Sequence, residues 1–271
     1  MTRFALIGLP TDINSSFERG PAAGPAAIRA ALFSDRGNMA SECGLEIGRD
    51  IVVDDMGNLP LNEDTAHDDA LIRAAIAKAL TSGAIPISLG GDHAVTFPIL
   101  QAITTHHGPV DILHFDAHPD TYADFAGNPR SHASPFARIM EAGLARRLVQ
   151  VGIRTLMHHC REQATRFGIE TIEMHSFTPE RVSGFNRPTY ISIDLDGIDP
   201  AFAPGVSHPE PGGLTVREVL AVVNRVTGPI VGADIVELNP VRDVNGVTAI
   251  LAAKLVREIA ARASQNTGTI S

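Results

Sequence analysis

A chain of 271 residues with 31 acidic against 22 basic side chains and a formal net charge of −9 is poorly suited to a nucleic-acid backbone, which calls for a dense basic face. Its apolar residues recur in short blocks and never make the run of about 18 that a membrane span needs. Its two cysteines, Cys43 and Cys160, have no C-x-x-C spacing; they exclude a disulfide framework and suit a reducing compartment, read here as the cytoplasm.

Taken in chain order, the apolar block at 4–8 is too short for a signal peptide and reads as a first strand. Further strand-like blocks follow at 85–89, 110–115, 148–153, 190–195 and 230–236. Between and after them, 68–81, 95–105, 134–142, 216–226 and 247–261 carry apolar residues at three- and four-residue spacing, the mark of covering helices. The Gly/Pro-rich stretches 20–25 and 200–213 read as loops within one domain spanning 1–271. Strands that are apolar throughout are buried on both faces, so the expected fold is a three-layer α/β/α arrangement around a central, mostly parallel sheet. In such sheets ligands bind beyond the carboxyl ends of the strands.

Those ends are unusually polar. The block at 87–89 runs into Gly90-Gly91-Asp92-His93, a sharp turn that aims His93 at the strand edge; it lacks the spacing and the lysine of a phosphate-binding loop. The block at 110–115 runs into Asp116-Ala117-His118-Pro119-Asp120. Residues two apart in extended chain face the same way, so Asp116, His118 and Asp120 can converge on one volume. The block at 190–193 ends in Asp194-Leu195-Asp196, and the one at 230–236 in Glu237. Singly, a D-x-D pair can cap a helix and a histidine after a strand is more often packed than ligating. Together, four aspartates and two histidines exceed what one tetrahedral ion uses, and oxygen-rich ligation without thiolate favours manganese over structural zinc. Two ions sharing carboxylates could generate a nucleophile from water at neutral pH.

These segments, with Pro209-Glu210-Pro211-Gly212-Gly213, are similar to the motifs of the ureohydrolase family of arginases and agmatinases. The resemblance runs in order from Gly24 to Pro240. It implies two Mn²⁺ per subunit, with His93 and Asp120 on one, His118 and Asp196 on the other, and Asp116 and Asp194 bridging. It further implies His132 as the proton-shuttling catalytic histidine, Glu237 as the carboxylate that grips the substrate guanidinium, and a homo-oligomer, trimer or hexamer. The loops around Asp116 to Glu141 and Ala203 to His208 resemble those of plant-type arginases, so the expected reaction is L-arginine to L-ornithine and urea; agmatine, or another guanidino acid, is the alternative substrate. Tyr122 departs from the animal pattern, which has an asparagine there. Asn128 and Ser131, with Arg130, are therefore only candidates for holding the far end of the substrate, and each can equally be a turn residue. Asp234 is read either as support for a metal ligand or as a cap. His114 is read as a satisfied core residue, and His106, His107, His158, His159, His175 and His208 as surface or loop residues. A zinc deacetylase on a related fold would require one zinc and a different Asp/His order, and a non-catalytic binding protein on this scaffold would lack part of the ligand set.

Overall fold

The computed structural model describes residues 1–267. Among these the strands are β1 (Thr2–Leu9), β2 (Ile51–Asn58), β3 (Ile85–Gly90), β4 (Val110–Phe115), β5 (Ala145–Ile153), β6 (Glu170–Glu173), β7 (Thr189–Asp194) and β8 (Ile230–Val236). They form one sheet in the order β2-β1-β3-β8-β7-β4-β5-β6, and the pairings along it are parallel. On one face lie α1 (Gly24–Leu32), α6 (Val216–Val223) and α7 (Val247–Thr267), whose Ile28, Val219 and Val256 share a core with Phe4, Phe115 and Ile193. On the other lie α2 (Thr65–Thr81), α3 (Thr96–His107), α4 (Pro135–Glu141) and α5 (His158–Phe167), which bury Ile76, Ile99, Phe136 and Ala164 against Ile7, Ile112 and Tyr190. The three-layer expectation is therefore met. Burial of each such aliphatic or aromatic side chain contributes about 1.5–3 kcal/mol, so the central strands β3, β8, β7 and β4 form a stiff platform.

Four elements were not among the expected ones. The strands β2 and β6 are the two edges of the sheet; exposure alternates irregularly along β2, and β6 has only four residues, so neither presents a continuous apolar block. Helix α1 opens on Gly24-Pro25, inside the stretch read as a loop, because proline at the first turn starts a helix as readily as it punctuates a loop. Helix α5 buries only Cys160, Gln163 and Ala164, too few apolar residues for a covering helix to be read from the sequence. Among the described residues, no helix is long and apolar enough to cross a membrane.

The chain order brings β3, β8, β7 and β4 side by side, so their carboxyl ends open onto one crevice. The turn after β3 fits only because Gly91 has no side chain: a Cβ there would stand 1.7 Å from the Thr11 carbonyl oxygen. That close approach lets Asp92 N–H donate to Thr11 O at 2.9 Å and Glu237 N–H to Gly91 O at 2.9 Å. The turn thereby ties the segment after β1 to the end of β8.

Candidate metal centre and its cavity

The six residues expected as ligands lie at the ends of three of the four adjacent central strands, β3, β7 and β4, with β8 between β3 and β7. His93 begins the short helical turn after β3, Asp116, His118 and Asp120 follow β4, and Asp194 ends β7 with Asp196 two residues on. Ligand atoms of His93, Asp116, Asp120 and Asp194 fall within 4.8 Å of one another, and so do those of Asp116, His118 and Asp196. Asp116 is common to both groups, which is the arrangement two ions sharing one carboxylate require.

The chemistry of His93 tests whether a cation fits. Its Nδ1 stands 3.3, 3.0 and 3.2 Å from carboxylate oxygens of Asp116, Asp120 and Asp194, yet it is buried with no hydrogen bond, because none of the three lies along an N–H direction. Its Nε2 is 3.0 Å from Ser192 Oγ, and that hydroxyl donates to Asp234 Oδ1 at 2.6 Å. Ser192 can then only accept from His93, so the ring proton sits on Nε2 and an Nδ1 lone pair points among oxygens. Such a constellation is repulsive unless a cation occupies its centre. Spacing agrees: neighbouring ligands of an octahedral ion with bonds of about 2.1 Å stand about 3 Å apart. Asp194 carries the same signature. Burial raises the Asp194 carboxyl well above its usual range, and the charges of Asp196 and Asp116 push it further. The buried His/Asp cluster thus fits a binuclear metal site.

Beneath the ligands runs a polar row. The register aligns Ser88 of β3 with Asp234 of β8, Asp234 with Ser192 of β7, Ser192 with His114 of β4, and His114 with Gln150 of β5; all five are fully buried. Asp234 accepts from Ser192, from Thr96 Oγ1 at 2.8 Å and from Tyr190 OH at 2.7 Å. Through Ser192 it is linked to the candidate ligand His93. His114 is also more than a core residue. Gln150 Nε2 donates to its Nδ1 at 3.1 Å, so its Nε2–H donates to Asp116 Oδ2 at 2.9 Å, while its ring stacks on Phe136. The row orients His93 and Asp116 from below. Ser192→Ala is expected to weaken metal binding about 10- to 100-fold by freeing the His93 ring; titration against a competing chelator measures this, and unchanged affinity would remove Ser192 from that role.

Above the ligands opens a cavity of about 160 Å³. Its floor is Asp120, Asp194, Asp196, His118 and Glu237, and its walls include Ser16, Tyr122, Phe125, His132 and His208. Glu237 and His132 form a pair: His132 Nδ1 is 2.8 Å from Glu237 Oε1, which also accepts the His93 backbone N–H at 2.9 Å. Burial opposes the charged form of His132, but the charge of Glu237 and their hydrogen bond override it and push the imidazole up to about 9. The other oxygen, Glu237 Oε2, is buried without a partner. On its far side His132 Nε2 is 2.8 Å from Ser16 Oγ and accepts Ser16 N–H at 3.1 Å. Asp120 and Glu237 both take left-handed backbone, with φ of 49° and 65°, a conformation strained for residues other than glycine.

Asn128 and Ser131, the candidates for the far end of the substrate, are not among the residues that line the cavity. Asn128 donates to Asn14 Oδ1 at 3.2 Å and accepts Arg130 N–H, Ser131 Oγ accepts Ala133 N–H at 3.3 Å, and Arg130 is held by Asp69 at 2.7 Å. Asn128 thus ties the loop to the segment after β1, and Arg130 ties it to α2. His208, read as a surface or loop residue, does lie in a loop, and from there it lines the cavity with its ring 5.3 Å from that of His132. Ser16 and His208 carried no local signal, since each reaches the site only through long-range folding. Tyr122 does line the wall, with its hydroxyl donated to Met157 Sδ at 3.0 Å.

The sequence pattern of the arginase family matches residues 2–261. The chain is 48% identical to "Arginase 1, mitochondrial" of Arabidopsis thaliana, with 96% of this chain and 81% of that protein covered. It is 38% identical to "Agmatinase, mitochondrial" of Gallus gallus over 94% of this chain and 79% of that one. Among solved structures it superposes on the arginase from Medicago truncatula with a TM-score of 0.91 and 43% identity, covering 97% of this chain and 87% of that chain.

Proposed function

This chain belongs to the arginase family, and from that premise we propose that it hydrolyses L-arginine to L-ornithine and urea at a two-manganese centre. The observation that carries the reading is the His93 Nδ1 lone pair buried among three carboxylates, directly below a cavity that contains the unpartnered Glu237 Oε2. The oxygen-rich, thiolate-free donor set supports manganese. In this reading His93 and Asp120 hold one ion, His118 and Asp196 the other, and Asp116 and Asp194 are shared.

Bound, the pair of ions supplies a water-derived nucleophile at neutral pH and Lewis-acid polarisation. The chain supplies the rest. Glu237 Oε1 is saturated by His93 N–H and His132 Nδ1–H, which leaves Oε2 to accept from a guanidinium N–H, a charge-assisted bond suited to a planar cation. Asp116 is fully buried and Asp194 nearly so, so their charges act where bulk water screens them little. His132, anchored by Glu237 through Nδ1, takes up a proton from solvent at Nε2, the nitrogen that accepts Ser16 N–H in the neutral ring, and delivers it to the amine nitrogen as it departs.

Agmatine is the second reading, favoured by one feature: the cavity lining includes no arginine or lysine to meet an α-carboxylate. The decisive assay is urea release by manganese-loaded protein from arginine, agmatine and other guanidino compounds, beside a metal-free control. Preference for arginine is expected; agmatine preference would transfer the assignment to that substrate, and no urea from any of them would overturn it. We further propose that residues 1–271 act as one domain and assemble as a homo-oligomer, consistent with the strongly exposed Phe17 and Val241 and measurable by sedimentation. A cytoplasmic location is proposed from the two free cysteines; the Arabidopsis relative is named mitochondrial, and cell fractionation separates the two.

A further inference from the structure

Arginine differs from agmatine by a carboxylate at the end remote from the guanidinium. With the guanidinium on the acidic floor, that carboxylate must lie along the wall toward the mouth, where burying it without a donor would be costly. The donors on the wall can be taken in turn. Tyr122 gives its hydroxyl to Met157 Sδ, and Ser16 turns both its hydroxyl and its backbone N–H to His132. His132 itself is committed to Glu237.

His208 differs from all of these. It lines the cavity, is partly buried, and its ring contacts are to Phe17 at 5.7 Å, His132 at 5.3 Å and His118 at 6.1 Å. The site histidines His93, His114, His118 and His132 all have ring nitrogens facing carboxylates, whereas no described residue hydrogen-bonds the His208 ring. Its place spans the height of the wall, from the floor residue His118 to Phe17, which is 75% exposed at the rim. The backbone there is fastened on both sides: Ser207 Oγ donates to Glu18 O at 3.3 Å and accepts from Asn239 Nδ2 at 3.0 Å, and Val206 bridges to Leu238. His208 is thus fixed relative both to Glu237 and to the loop bearing Ser16.

We propose that the His208 ring donates a hydrogen bond to the α-carboxylate of the substrate and is the residue that selects arginine over agmatine. This rests on the ureohydrolase reading above. A hydrogen bond to a charged group within a partly desolvated cavity is worth on the order of 10- to 100-fold in binding. His208→Ala is therefore expected to lower the arginine-to-agmatine ratio of kcat/KM by about that factor, mostly through KM for arginine, and His208→Asn, which keeps an N–H donor, to recover part of it. Calorimetry gives a readout independent of turnover: His208→Ala should weaken binding of ornithine, which carries the carboxylate, far more than binding of putrescine, which does not. A wild-type protein that prefers arginine together with a His208→Ala variant of unchanged ratio and unchanged ornithine affinity would overturn the proposal, as would a wild type that prefers agmatine. If the wild type releases urea from no guanidino compound, the ureohydrolase reading fails and this one with it.

Discussion

Asp116→Asn is expected to reduce kcat/KM for urea release at least ~1,000-fold, a loss of about 4 kcal/mol in transition-state stabilisation, and to leave the protein with less than its full metal complement. Asp116 is the carboxylate common to both ligand groups. One oxygen lies 3.3 Å from His93 Nδ1 and accepts from His114, and the other lies 3.4 Å from His118 Nδ1 and accepts the His118 backbone N–H. An amide of the same shape loses the charge that two cations would share and turns an NH₂ toward one set of partners, so the substitution strikes both halves of the site while changing little volume. Elemental analysis of the purified variant, with near-ultraviolet circular dichroism to verify its fold, separates this effect from misfolding. A folded variant with two ions per chain and more than a tenth of wild-type activity would show that Asp116 is not shared.

The second large effect is of a different kind. His132→Ala is expected to cost on the order of 10²–10⁴ in kcat, the range for loss of a positioned acid or base, with metal content unchanged. His132 lines the cavity but belongs to neither ligand group, and it is anchored through Glu237. Added imidazole should restore part of the rate, since the space the ring leaves opens on the cavity. Loss of metal with loss of rate would instead make His132 a support of the centre, and an unchanged kcat would take the proton-transfer role from it.

The candidate ligands were legible in the sequence because each central strand is mostly apolar and the chain turns polar at or just beyond its end, and the period of two in extended chain brings Asp116, His118 and Asp120 to one side. What lies beneath them was not. Ser88, Ser192, His114, Gln150 and Asp234 each interrupt an apolar block near its end, and singly each reads as a tolerated polar residue. Only the register between strands makes them a row, and register between parallel strands separated by helices has no local signature. The same limit hid His208 and Ser16, which come to His132 from opposite sides through the folding of two long loops. Nor could nearness in sequence to His132 show that the partner of Asn128 is Asn14, far away in the chain. Core and ligand row follow local periodicity; the substrate-facing wall follows tertiary contacts.

The left-handed backbone at Asp120 and Glu237 sets durability against usefulness. Each residue holds roughly 1–3 kcal/mol of strain, which glycine would release and asparagine would lessen. Under pressure for heat resistance alone, these are two positions where drift to glycine or asparagine would relieve backbone strain, and that drift would silence the chain. Under pressure for urea release they should stay fixed while their surroundings vary. Passaged under one regime or the other, the two codons would register which demand a population had met.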